Sequence, residues 1–133
     1  MPLRGVRGAT SVPKNDEQSV LEHTRLMIAD AVKANAIRPE DMAAIMFATT
    51  PDLDAAFPAR AARELGLVAV PLLDFISPDV KGSMPRVVRM LLLWNTDVDQ
   101  SQVVHIYLGD ARKLRPDLVA SKDGVAAKEA PVP

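Results

Sequence analysis

The run from Arg86 to Trp94 most limits what this chain can fold into. As a helix, its apolar residues would surround the axis and leave no polar face. As a strand, it sets Arg89, Leu91 and Leu93 on one face and Val88, Met90, Leu92 and Trp94 on the other. Pro85 before it and Asn95-Thr96-Asp97 after it bound the run at strand length, which predicts a strand. Arg89 then lies inside a core strand, where an unpaired charge would be costly, and it asks for an anionic partner. The first strand, residues 3–12, poses the same question. Its Leu3-Arg4-Gly5-Val6-Arg7-Gly8-Ala9-Thr10 run sets arginines among glycines that would let a backbone or ligand approach. Arg7 reads as a fixed cation aimed at something anionic, with a solvated edge strand as the plain alternative.

Around these strands the pattern predicts a mixed arrangement. Asn15 or Asp16 can cap a helix running to about Ala36, with Val20, Thr24, Met27, Ile28, Ala31 and Val32 on one face. His23 falls beside that stripe and reads as a boundary residue. Arg38-Pro39-Glu40-Asp41 is a turn, and Met42–Thr49 is an apolar run consistent with a strand buried on both faces. Pro58 opens a short helix to Leu65, stopped by Gly66, with Arg60 and Arg63 on one face. Val68–Leu73 reads as a strand and Asp74–Gly82 as a loop. A last strand runs from Gln102 or Val103 to Leu108, with His105 and Tyr107 on one side, and a short helical turn follows Gly109. Strands outnumber helices and no repeat is present. The expectation is an α+β fold with a mixed β-sheet packed with helices, in one domain over residues 1–119, and a mobile tail over residues 120–133.

Composition removes several function classes. A length of 133 residues suits one domain, and a formal charge of −1 argues against a nucleic-acid or membrane-surface partner. The absence of cysteine removes disulfides, thiolate catalysis and cysteine metal sites, and two distant histidines make a metal site improbable. No secretory or membrane-spanning segment is visible, so a cytoplasmic location is expected. With only five aromatic residues, the core is aliphatic and a small monomer would be marginally stable, which favours subunit association.

No nucleophile–base pair and no glycine-rich phosphate loop is present. The polar groups that stand out are Arg7, Arg89 and Tyr107 within strands, joined by Arg60, Arg63 and Arg115 at element ends. Such a set can bind a small dianion and stabilise charge that develops in a transition state, without covalent catalysis.

At this point the chain resembles a known family. Arg4-Gly-Val-Arg7-Gly-Ala-Thr10 is similar to the opening of the trimeric, non-helical class of chorismate mutase. So are Ala48-Thr-Thr-Pro-Asp-Leu53, Ala56-Phe57-Pro58-Ala59, Arg63-Glu64-Leu65, Val70-Pro71, Arg89, His105-Ile-Tyr107-Leu108 and Leu114-Arg115-Pro116-Asp117-Leu118, in order across residues 3–118. The resemblance implies a chorismate-mutase-like sheet assembled as a homotrimeric pseudo-barrel, with clefts between subunits. It implies rearrangement of chorismate to prephenate by a concerted pericyclic step, without cofactor or metal, toward phenylalanine and tyrosine. By position, Arg89 would donate to the ether oxygen, and Arg7 and Tyr107 would hold a carboxylate. Phe57, Ala59, Arg60 and Arg63 would come from the adjacent subunit, with Leu72, Leu73 and Arg115 completing the wall. Arg60 stands where relatives can carry lysine.

One position departs from the pattern. The family's loop after Val-Pro carries a glutamate that binds the substrate hydroxyl, and Ser77 stands there in this chain. Asp74, three residues earlier, aligns with a position that usually holds a small polar residue or cysteine facing the ligand. Either Asp74 supplies the missing carboxylate, or it is a plain loop aspartate and activity is weakened. The same break leaves two other readings: an enzyme retuned for a relative of chorismate, and a non-catalytic trimer that binds an aromatic-pathway acid.

Overall fold

The computed structural model describes residues 1–117; the expected tail, residues 120–133, lies outside the described residues. Its strands are β1 (Leu3–Ser11), β2 (Met42–Thr49), β3 (Leu72–Ile76), β4 (Val87–Asn95) and β5 (Ile106–Leu108), and its helices are α1 (Glu17–Asn35) and α2 (Pro58–Glu64). They form one five-stranded sheet in the order β3-β2-β4-β1-β5. β4 runs antiparallel to both β1 and β2, while β3 and β5 lie parallel to β2 and β1. The sheet is mixed, as expected for an α+β fold.

Both helices cover the same face. Val6, Ile45, Phe47, Val88, Met90, Leu92 and Ile106 are buried there with Val20, Met27, Ile28 and Ala31 of α1 and Ala61 and Ala62 of α2. Gly8 explains how α1 comes so close. A Cβ at that position would stand 2.7 Å from Met90 Cε and 3.1 Å from Met27. The glycine after Arg7 therefore serves helix packing on the far side of the strand. Asp16 caps α1, its Oδ1 accepting from Ser19 N at 2.7 Å, and Asn15 instead donates to Asp54 Oδ1. His23 is half-buried at the edge of the stripe, and its Nδ1 donates to Ser19 O.

Several expectations change. β2 is not buried on both faces: Ile45, Phe47 and Thr49 are buried, whereas Ala44, Met46 and Ala48 are half-exposed on the uncovered side. The strand expected at Val68–Leu73 is displaced to Leu72–Ile76, so Asp74–Ile76 is paired strand rather than loop. Val70 is buried as a plug, and the ladder begins only at the Pro71 carbonyl, which accepts from Ile45 N at 2.9 Å. β5 is shorter than expected because Asn35 of α1 captures the backbone just before it. Its Nδ2 donates to Val104 O at 2.9 Å and its Oδ1 accepts from Val104 N at 2.8 Å. No described helix is long and apolar enough to cross a membrane.

Candidate active site

The alternation of β4 and β1 decides which side the arginines take. Val88, Met90 and Leu92 go under the helices, so Arg89 and Leu91 go to the opposite face; by the same parity Arg7 and Ala9 oppose Val6 and Gly8. Arg89 pairs with Ala9 on one side and Ala48 on the other, and Ala9 pairs with Tyr107. Ala48, Arg89, Ala9 and Tyr107 thus form one row across the uncovered face. Arg7 stands one step along, diagonal to Arg89 at about 7–8 Å in a ladder of this type. The two small residues keep the row clear between the long side chains.

A hollow of about 390 Å³ gathers Arg7, Arg89, Tyr107 and Arg115, floored by Gly8, Ala9, Met90 and Leu91 and walled by Leu114. Tyr107 is held there by a small apolar cluster with Ala9, Val87 and Ala111, against which Met84 and Leu114 pack. The Arg7 N–H donates to His105 Nδ1 at 2.9 Å, which fastens the start of β5 beside the hollow. Arg7 and Arg89 are exposed rather than buried, so the expected burial penalty does not arise within one chain. Among the described residues no carboxylate pairs with either guanidinium. Arg115 differs: Asp117 accepts from its Nε and Nη2 at 3.0 and 2.9 Å.

The other expected site residues lie elsewhere. A second hollow of about 470 Å³ contains Phe57, Arg60 and Asp74, with Glu17, Thr49, Leu53, Phe75 and Ile76 on its walls. Phe57 is 71% exposed, a large ring with no cover from its own chain. Asp74 shares the face of Phe47, toward α2, and its Oδ1 accepts from Ala59 N at 3.0 Å, so it caps a helix whose N-cap Phe57 has no polar side chain. Burial pushes the Asp74 carboxyl above the usual aspartate range, against the opposing pull of the Ala59 amide and of Arg63. Arg60 is held by Glu17 at 2.8 Å and Glu64 at 3.1 Å.

Ala59 is buried, Arg63 is exposed on α2, Leu72 is half-buried and Leu73 is exposed on the uncovered sheet face. Ser77 donates its N–H to Thr49 O, and its Oγ is buried without a partner. None of these five lines either hollow. The two hollows share no residue. The structure therefore joins Arg7, Arg89, Tyr107 and Arg115, and separately Phe57, Arg60 and Asp74, but does not bring the two sets together in one chain.

A family model, chorismate mutase type I, matches the chain over residues 3–118. The chain belongs to that family. It is 45% identical over 121 residues to the chorismate mutase AroH of Thermus thermophilus, covering 90% of this chain and 99% of the relative. Identity to the chorismate mutase AroH of Bacillus subtilis is 39% over 124 residues, covering 92% and 98%. A solved chorismate mutase from Clostridium thermocellum superposes with a TM-score of 0.81 at 35% identity, covering 82% of this chain and 97% of that one. This type I chorismate mutase is accordingly an isomerase of the non-helical class expected from its motifs.

Sequence reasoning missed two groups that the structure ties tightly, Asp52 and Arg86. The Arg86 N–H donates to both carboxylate oxygens of Asp52, at 3.2 and 3.0 Å. The signal available was the pair of positions themselves: an aspartate closing the Thr-Pro-Asp turn and an arginine between Pro85 and the apolar run.

Proposed function

We propose that this protein converts chorismate to prephenate in a homotrimer, at sites where the Arg7–Arg89 hollow of one subunit meets the Phe57–Arg60–Asp74 hollow of the next. One observation carries the reading: two unpaired guanidinium groups share a hollow that the chain leaves open, while Phe57 and Arg60, two of the residues expected to complete it, line another hollow of the same chain. Leu73, Phe75 and Leu91 also leave an exposed apolar sheet face, 58%, 48% and 38% accessible, of the kind that marks an association surface.

The chemistry follows from the donors. A concerted rearrangement breaks a C–O bond as a C–C bond forms, and negative charge builds on the ether oxygen. Arg89 donates to that oxygen, while Arg7 and Tyr107 hold a carboxylate and keep the enolpyruvyl arm folded over the ring. Donors fixed in place before the reaction are worth about 3–4 kcal/mol each in the transition state. Selecting the compact conformer of a flexible substrate lowers the barrier further. Phe57 and Arg60 of the neighbouring subunit cover the ring and its second carboxylate, and Arg115 completes the wall of the first hollow.

Asp74 takes over the hydroxyl of the substrate from the position where Ser77 stands in place of glutamate. It lines the second hollow, and Ser77, with its buried Oγ, does not. The same substitution supports a second reading, a pocket retuned for a close relative of chorismate.

The test is turnover of chorismate by the purified protein, followed by loss of its ultraviolet absorbance. The product is identified by mass and by acid-triggered conversion to phenylpyruvate. Formation of prephenate at a catalytic rate is expected. Binding without turnover would overturn the reading and leave a non-catalytic acid-binding protein.

A further inference from the structure

We propose that Asp52 is a positioning residue for Arg89, acting through the backbone of Arg86; this rests on the role given to Arg89 above. Arg86 immediately precedes β4 and holds a φ of 47°, in the left-handed region that side-chain-bearing residues rarely adopt. Such a residue persists there only where its surroundings over-determine it.

Here they do. Its N–H donates to both oxygens of Asp52, a charge-assisted contact, and its Nε donates to Val12 O at 3.0 Å. Its carbonyl accepts from Val12 N at 2.8 Å. Asp52 is itself anchored: the Thr50 hydroxyl donates to its Oδ1 and accepts from Val87 N at 3.0 Å, and Thr50 N donates to Val87 O at 3.1 Å.

Three chain segments meet in this knot: the turn leaving β2, the residue that follows β1, and the entry to β4. Both ladders that frame Arg89 therefore start from it. Ser11 pairs with Val87, two residues short of the row that holds Ala9, Arg89 and Ala48, and Thr49 pairs with Val88, one residue short of it. A strand that enters one residue out of step turns every side chain to the other face, which would send Arg89 under the helices. A smaller loosening at Arg86 tilts the start of β4 and moves the guanidinium off the breaking bond. The knot contacts no part of either hollow through the Asp52 carboxylate, so its effect on the reaction runs through the backbone.

The structure offers a way to separate positioning from general stability. Glycine adopts a positive φ freely, so Arg86→Gly removes the need for the Asp52 carboxylate. Chorismate turnover and thermal midpoint are measured for the wild type, Asp52→Ala, Asp52→Asn, Arg86→Gly and the Asp52→Ala/Arg86→Gly pair. Asp52→Ala is expected to lower kcat about tenfold with little change in KM, as misplacement of a catalytic group does. Asp52→Asn, which keeps one acceptor, falls between it and the wild type. In the Arg86→Gly background the same alanine substitution is expected to lower kcat less than about twofold, since glycine holds the positive φ without the carboxylate. Equal losses in both backgrounds would overturn the proposal, and so would a lowered midpoint with unchanged kcat. Absence of wild-type turnover would instead strike the proposed function. The positioning claim would then be read from amide exchange at Val87 and Val88, faster in Asp52→Ala but not when glycine replaces Arg86; equal exchange in both backgrounds would overturn it.

Discussion

Arg7 and Arg89 hold charges that no carboxylate of the described chain neutralises, whereas Arg60 and Arg115 are each engaged by carboxylates nearby. The engaged pairs are solvent-exposed and weak, so a bound dianion can draw those guanidiniums across without a large penalty. Asp74 is the residue whose titration reports on the site. Its folded-state pKa is raised chiefly by burial, so the folded protein binds this proton more tightly than the unfolded chain. The stability that follows is present below the unfolded pKa and is lost as pH rises through the raised folded value. Under the role proposed for Asp74, activity runs the other way, because accepting the substrate hydroxyl is a task for the ionised carboxylate. The expected result is an acid limb in kcat/KM placed above the ordinary aspartate range, read over the pH interval where the protein stays folded. Asp74→Asn should abolish that limb and reduce activity about tenfold, in the range for loss of one charged hydrogen-bond partner. A limb that survives the substitution, with loss confined to Ser77→Ala, would return the role to Ser77.

At the scale of elements, α1 carries a correctable weakness. It ends on Ala36, whose φ of 53° places a methyl-bearing residue where helices usually set glycine. The N–H groups of Ala36 and Ile37 close the turn onto Lys33 O and Val32 O, so the geometry is needed and the residue is strained. Ala36→Gly is expected to stabilise the protein by about 0.5–1 kcal/mol, the left-handed strain relieved less the added freedom of the unfolded chain. Thermal unfolding would show it as a rise of a few degrees, with no change in kcat. The same scale explains what could be read in the sequence. Alternation separates Arg89 from Val88, Met90 and Leu92 and Tyr107 from Ile106 and Leu108, because period two is a local property, whereas the row they share with Arg7's face follows from the register between strands. The bounds of β3 and β5 were not local. Asn35 stops β5 from 69 residues away, and Val70 is drawn into the core cluster ahead of the β3 ladder. The Asp52–Arg86 tie spans 34 residues and has no pattern of its own, since an arginine in a left-handed conformation looks like any other. The division of the site into two hollows was expected from family resemblance rather than from the residues themselves.

At the scale of the whole molecule, that division makes a prediction no single-chain site can satisfy. Arg89→Ala should leave less than about a hundredth of the wild-type kcat, by the size of one preorganised donor. The Phe57→Ala/Arg60→Ala variant should be similarly poor, for want of the opposite wall. In the homotrimer proposed above, each subunit would lend its Arg7–Arg89 hollow to one neighbour and its Phe57–Asp74 hollow to the other. A mixed ring built from the two variants then contains one interface where both intact hollows meet. Random assembly of equal amounts should restore about a quarter of the wild-type sites, because about three-quarters of the rings are mixed and each regains one site of three. The measurement is specific activity after the two variants are unfolded together and refolded, against each refolded alone. If each chain held a complete site, mixing would give the average of two crippled enzymes; recovery beyond that average requires that catalysis be shared across the boundary between subunits.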